Sequence, residues 1–299
     1  MGSELQKPAT PHSPSHWAML VLGALAVSTA SVLIRLAAAP ALVVGAWRIG
    51  LAALLLTPWA LPRLRREWAA LTRRELICLG LAGVALALHF ALWISSLSYT
   101  TVASSVILVA TSPIYVGLAS HLLLHEPANR RRVLAIVVVM AGSLVVSYGD
   151  FYLSGRALLG DMLALLGALA ASAYLLLGRT VRRRLSTLAY VWPCYGLAGV
   201  LLVALCLGTE QPLTGYGAQT YLLLALMAIV PQILGHSAFN WALAHFSTVF
   251  VTLALLGEPI GASLLAWLIL GELPPISALA GGVLILGGIY LASRDEVSG

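Results

Sequence analysis

The sequence predicts an all-α integral membrane protein of ten transmembrane helices, arranged as two inverted five-helix repeats. Three observations predict it. Of 299 residues, 60% are apolar and only 9% are charged, with a mean hydropathy of +0.96. Water-soluble domains carry about 25% charged residues. The apolar residues also gather into long runs, and crossing a bilayer takes about 20 of them. Finally, the second half of the chain repeats the first. This composition excludes a water-soluble globular domain and a disordered chain. It equally excludes a basic nucleic-acid binder, despite a formal charge of +6. Ten spans leave short loops and no room for a soluble domain.

Residues 1–16 are polar and contain Pro8, Pro11 and Pro14, which predicts a disordered cytoplasmic N-terminus. The apolar run behind them is too long for a cleaved signal and lacks a cleavage site. Helices are then predicted at 17–36, 41–61, 75–98, 102–124, 132–149, 158–179, 187–207, 220–245, 248–270 and 276–293. The first repeat covers 17–149, the second 158–293, and 294–299 form a cytoplasmic tail. The runs are uniformly apolar, without the alternation of a barrel. Cys78, Cys194 and Cys206 lie in or beside these runs and imply no disulfide framework.

Loop charges predict the orientation, since cytoplasmic loops collect Lys and Arg. Arg63, Arg65, Arg66, Arg73 and Arg74 follow the second span; Arg130, Arg131 and Arg132 follow the fourth; Arg179, Arg182, Arg183 and Arg184 follow the sixth. With ten helices these fall on one side together with Lys7 and Arg294, whereas the opposite loops carry only Arg156. Both termini are therefore expected in the cytoplasm.

The repeat appears at a shift of 146 residues. Pro113 meets Pro259, Glu126 meets Glu272, Leu97 meets Leu243, and Gly50-Leu51-Ala52 meets Gly196-Leu197-Ala198. Near the front the shift is 144. There Leu22 to Ala26 repeats as Leu166 to Ala170, and Arg35 meets Arg179. Five helices per half is an odd number, so the second half enters the membrane from the opposite face. Such inverted halves are the usual architecture of secondary transporters.

The strongest copies are LSYTTVASSVILVATSPIYVGLASHLLLHE at 97–126 and LAHFSTVFVTLALLGEPIGASLLAWLILGE at 243–272. Together with Pro40 and Arg48 in PALVVGAWRIG, they resemble EamA-type members of the drug/metabolite transporter superfamily, over residues 17–293. The resemblance implies a ten-helix carrier of small metabolites with its pathway between the halves. Among subfamilies the chain is most similar to bacterial amino-acid exporters, aromatic amino-acid exporters included. The resemblance alone implies a bacterial inner membrane. Two departures narrow the substrate. The first span, 17–36, lacks the carboxylate of small multidrug exporters. No Lys lies within a span and Arg48 is the one deep Arg, which argues against phosphorylated substrates.

Ionisable groups inside a bilayer are costly and mark candidate sites. Arg48 lies in the second span, where its repeat counterpart is Cys194. It can hold a substrate carboxylate in a bidentate contact or serve as a snorkelling structural Arg. Glu258 lies in the ninth span before Pro259, and its repeat counterpart is Ser112. It can carry a proton, meet a substrate ammonium, or bond as a neutral acid to a neighbouring helix. His89 and Trp93 share a helix face, as do His236 and Asn240, with Trp241 adjacent. These groups suit either a cavity for an amino acid, through stacking and cation–π contact, or bonds between helices. Pro113 and Pro259 are candidate hinges, or static kinks.

No nucleotide loop, metal cluster or nucleophile arrangement is present, so no cofactor and no enzymatic activity are expected. The partners expected are amino acids and the lipid bilayer, with no nucleic acid, and a monomer suffices. The function expected is outward secondary transport of small amphipathic metabolites, amino acids foremost, by alternating access. Export of drugs or of another non-phosphorylated metabolite is the alternative. A pore or an intramembrane enzyme would be a different class.

Overall fold

The computed structural model describes residues 14–124, 130–153, 155–182, 184–242, 255 and 257–297. Residues 1–13, Glu126 and the first part of the ninth predicted span lie outside the described residues. Every regular element among the described residues is helical.

The first predicted span is α1 (Pro14–Ser28) followed by α2 (Ala30–Ala37). The bend between them has a local cause. The Ser28 hydroxyl donates to the Ala24 carbonyl at 2.8 Å, and the Thr29 hydroxyl donates to the Ala26 carbonyl at 2.7 Å. Hydroxyls that take backbone carbonyls in this way bend helices. The second span is α3 (Ala41–Glu67), which continues past its expected end at 61. The third is α4 (Arg73–Ser96), started by a capping box between Thr72 and Glu75.

The predicted fourth helix is two pieces, α5 (Val102–Val109) and α6 (Ser112–Leu124). Pro113 supplies no N–H and crowds the carbonyl four residues earlier. Hydroxyls take over the freed acceptors: Ser112 donates to the Val109 carbonyl at 2.7 Å and Thr111 to the Leu108 carbonyl at 2.6 Å. Next come α7 (Arg130–Leu153) and α8 (Gly155–Val181), which extend beyond the helix ends expected at 149 and 158.

The seventh span is α9 (Thr187–Gly208), capped by the Ser186 hydroxyl. The eighth is α10 (Ala218–Met227), a wide π-helical turn (Ala228–His236) and α11 (Ser237–Ala242). Pro231 inside the turn accounts for the lost regular bonding. Of the ninth span, α12 (Gly257–Leu265) and a second π-helical turn (Ala266–Leu270) are described. Leu255, ahead of α12, is helical too, so Pro259 lies inside a helical stretch. The last helix, α13 (Ile276–Val297), runs on through the residues expected as the start of a tail.

Among the described residues, six helical stretches are long and apolar enough to cross a membrane: Ala18–Ala37, Ala41–Glu67, Arg73–Ser96, Gly155–Gly178, Thr187–Gly208 and Ala218–Ala242. Four shorter apolar helices, Val102–Val116, Val133–Tyr148, Gly257–Leu270 and Ile276–Gly288, fall where the other spans are expected. Polarity is distributed inside out. Leu54, Leu144, Val200 and Val283 face outward, whereas Arg48, Asp161, Gln232 and Ser104 are fully buried. That distribution suits a lipid surround, where exposed apolar side chains cost nothing.

Packing pairs the two halves. Helix α3 packs on α9 and α7 on α13, which are equivalent elements of the two repeats. The α4–α8 contact is mirrored by α1 against the π turn 228–236; the α4–α9 contact is mirrored by α3 against the same turn. Backbones come close at these crossings. A Cβ on Gly199 would lie 3.0 Å from the Gly50 Cα, and one on Gly281 would lie 2.6 Å from the Gly142 carbonyl oxygen. Side chains would push these helices apart, so the small residues set the packing.

The loops sort to two ends. At one end Arg184 pairs with Glu75 at 3.4 Å, and the Ser186 amide donates to Glu67 at 2.7 Å. At the other end Glu272 accepts from the Val102 amide and pairs with Arg35 at 3.6 Å, while Arg35 donates to the Thr100 carbonyl at 2.7 Å. Glu272 thus caps α5 from the opposite half of the chain.

Candidate functional site

The polar cluster at the centre of the bundle is built around Arg48. About two turns of α3 precede it and about five follow it, and its side chain is fully buried. The Nε atom donates to the Gln232 Oε1 atom of the π turn at 2.9 Å. The guanidinium carbon sits 4.6 Å from the centre of the Phe90 ring and 5.5 Å from the centre of the Trp93 ring, both on α4. Cation–π attraction to two rings holds the charge away from lipid. The Nη1 and Nη2 atoms have no hydrogen-bond partner. Buried donors left unpaired cost about 1–3 kcal/mol each, more when charged.

His89 stacks on Trp93, with ring centres 5.8 Å apart and planes 3° from parallel. Its Nδ1 atom donates to the Gly167 carbonyl of α8 at 3.0 Å; a carbonyl only accepts, so Nδ1 carries the proton. His236 closes the π turn and meets the edge of Phe90 at 5.5 Å between centres. Glu258, in α12, is half-buried and within electrostatic range of Arg48. Tyr195 of α9 completes the group. Its hydroxyl shares a 3.3 Å hydrogen bond with Ser237 and approaches Gln232 without closing a bond.

Arg48, His89, Trp93, His236 and Glu258 therefore come together from four spans. Asn240 and Trp241 lie apart. Asn240 donates to the His236 carbonyl at 2.9 Å and accepts from the Tyr174 hydroxyl at 3.3 Å, so its amide links helices. Trp241 packs against the small apolar cluster of Leu20, Val27, Phe239 and Ala242. Pro113 stands at the start of α6, and Pro259 lies in α12.

Sequence reasoning missed Gln232, Tyr195, Phe90 and the buried Asp161 of α8. An amide inside an apolar run, next to Pro231, was a signal available for Gln232. Phe90 and Tyr195 carry no signal of their own in an apolar helix. Among the described residues no group of three or more His, Cys, Asp or Glu is placed to hold a metal ion.

Residues 16–148 and 158–294 each match the EamA-like transporter family. The chain belongs to that family. The two matched stretches coincide with the two halves that pack on each other. Among relatives, an uncharacterized transporter of Archaeoglobus fulgidus is 25% identical over 77% of this chain and 78% of its own length. The pseudopaline exporter CntI of Pseudomonas aeruginosa is 29% identical over 78% of this chain and 80% of its own. A protein of Streptantibioticus cattleyicolor described as a "probable terminal-alkyne amino-acid exporter" is 25% identical over 63% of each chain. One solved crystal structure aligns over 96% of this chain and 100% of its own, with a TM-score of 0.65 and 19% identity, and shows the same fold. This EamA-family chain is a multi-pass membrane transporter and not an enzyme. Its polar cluster lies where spans of both halves meet, which is where carriers of this architecture hold their substrates.

Proposed function

We propose that this chain is a secondary exporter of small amphipathic metabolites, chiefly amino acids of broad range with aromatic ones included. One observation carries the reading. A fully buried guanidinium, with two unpartnered nitrogens, sits between two aromatic rings and within electrostatic range of Glu258. A zwitterion with an apolar side chain has complementary parts: a carboxylate for Arg48, an ammonium for Glu258 or a ring face, and a body for the aromatic walls. The relative described as an amino-acid exporter supports the substrate class.

Ten spans in two inverted five-helix halves rock about this cluster, with both termini in the cytoplasm of a bacterial cell. Pro113 and Pro259 are the bending points, and a monomer is sufficient. The mirrored packing contacts between the halves support the rocking, and the clustering of basic loops supports the orientation. The test is uptake of labelled tryptophan by proteoliposomes of the purified chain, with unlabelled amino acids and one drug-like cation as competitors. Saturable uptake blocked by several amino acids is the expected result. No uptake above empty liposomes, with folding and orientation verified, overturns the reading.

A further inference from the structure

We propose that Arg48 and Gln232 together form the seat of the substrate carboxylate, and that Gln232 is the residue that makes the site select for it. The inference rests on the amino-acid reading and adds the recognised group and a specificity residue.

Hydrogen-bond inventory carries the argument. A guanidinium has five donors and no acceptor. The Gln232 amide must therefore turn its oxygen to Arg48 Nε, and this fixes Nε2 as a donor. That Nε2 atom, fully buried, has no partner, and neither have Arg48 Nη1 and Nη2. The indole Nε1 of Trp93, from the ring beneath the guanidinium, is a further unpartnered donor. Four donors in one dry cluster call for a ligand rich in acceptors. A carboxylate has two oxygens that accept and nothing that donates, and its plane matches the guanidinium fork. A phosphate monoester accepts equally well, but brings nearly two negative charges to one buried cation.

Local backbone structure presents Gln232. It lies in the π turn, where its carbonyl accepts from the Ser237 amide five residues on and faces the Ser237 hydroxyl at 3.5 Å. Such widened turns recur at functional sites. The register that pairs Gly50 with Gly196 and Leu97 with Leu243 pairs Arg48 with Cys194 and Gln232 with Leu86. The seat is thus built once, across the two halves, and not once per half. A single acceptor group bound there touches α3 of the first half and the π turn of the second, so binding bears on both moving parts.

The test uses the full chain in proteoliposomes, with tryptophan, indole-3-propionate (no ammonium) and tryptamine (no carboxylate) as competitors of labelled tryptophan. For the wild type, indole-3-propionate competes and tryptamine is weaker by about tenfold or more. In Gln232→Leu, KM for tryptophan rises about tenfold with the maximal rate little changed, and the gap between the two analogues closes. In Gln232→Glu a built-in carboxylate occupies Arg48, and competition by indole-3-propionate is lost. A Gln232 that only supported the fold would weaken all ligands equally and leave the ratio between analogues unchanged. Tryptamine competing as well as indole-3-propionate in an active wild type overturns the seat and leaves the amino-acid reading standing. Absence of tryptophan uptake overturns the amino-acid reading. The seat is then read on the purified protein by thermal shift. A stabilisation by indole-3-propionate that tryptamine lacks, and that Gln232→Leu removes, supports it; equal or absent shifts overturn it.

Discussion

Removing the Glu272 side chain should open the end of the bundle that carries Arg35. One carboxylate there joins three elements: the end of the second-half π turn, the α5 amide of Val102, and Arg35 of α2. A hydrogen bond to a charged group contributes about 1.5–3 kcal/mol. The Arg35 pair is 3.6 Å long, and its side chains are 33% and 22% exposed, so it adds only about 0.2–1 kcal/mol. We take about 2 kcal/mol for the whole, which is roughly a 30-fold change in a two-state ratio. Glu272→Gln keeps an acceptor for Val102 and loses the ion pair and the charge, so an increase of a fewfold is expected. The reporter is Leu97→Cys, only 1% exposed and lining the crevice beside Arg35. Its rate of maleimide labelling is measured in nanodiscs, against matched proteins without the reporter to correct for half-buried Cys78. Glu272→Ala should label about 30 times faster than the parent. Equal rates in a folded, monodisperse protein would show that this contact does not hold the closed arrangement.

Three further outcomes are expected. Arg48→Lys replaces a planar fork with a point charge, so the preference for carboxylate-bearing competitors over tryptamine should fall about tenfold while the helical circular dichroism stays the same. If Glu258 is the proton carrier, Glu258→Gln flattens the pH profile of transport in proteoliposomes, and an unchanged profile removes it from that role. Gly281→Ala places a methyl against the Gly142 carbonyl and should cost about 1–3 kcal/mol by overpacking, seen as a lower Tm in detergent. Gly196→Ala meets open space and should be neutral or stabilising by up to about 1 kcal/mol.

Much of the architecture is legible along the chain because the bilayer imposes a local rule. A backbone in lipid must satisfy its own hydrogen bonds, so apolar runs of sufficient length become helices. The break ahead of Pro113 and the two-fold repeat are equally local, one in the chemistry of a ring and the other in a fixed shift of sequence. Arg48 stood out because a lone deep cation is expensive wherever it faces. The faces of the helices were not legible. Spans apolar all round have no polar stripe to orient them, so nothing local separates Trp93, against the guanidinium, from Trp241, in a distant apolar cluster. Gln232 lies 184 residues from Arg48, and that pairing exists only because the π turn packs on α3. Sequence alone thus determined that the chain is a helical membrane protein built of two related halves. The tertiary structure decided which buried donors share one site and which remain without a partner, because that depends on helix rotation and on contacts between halves.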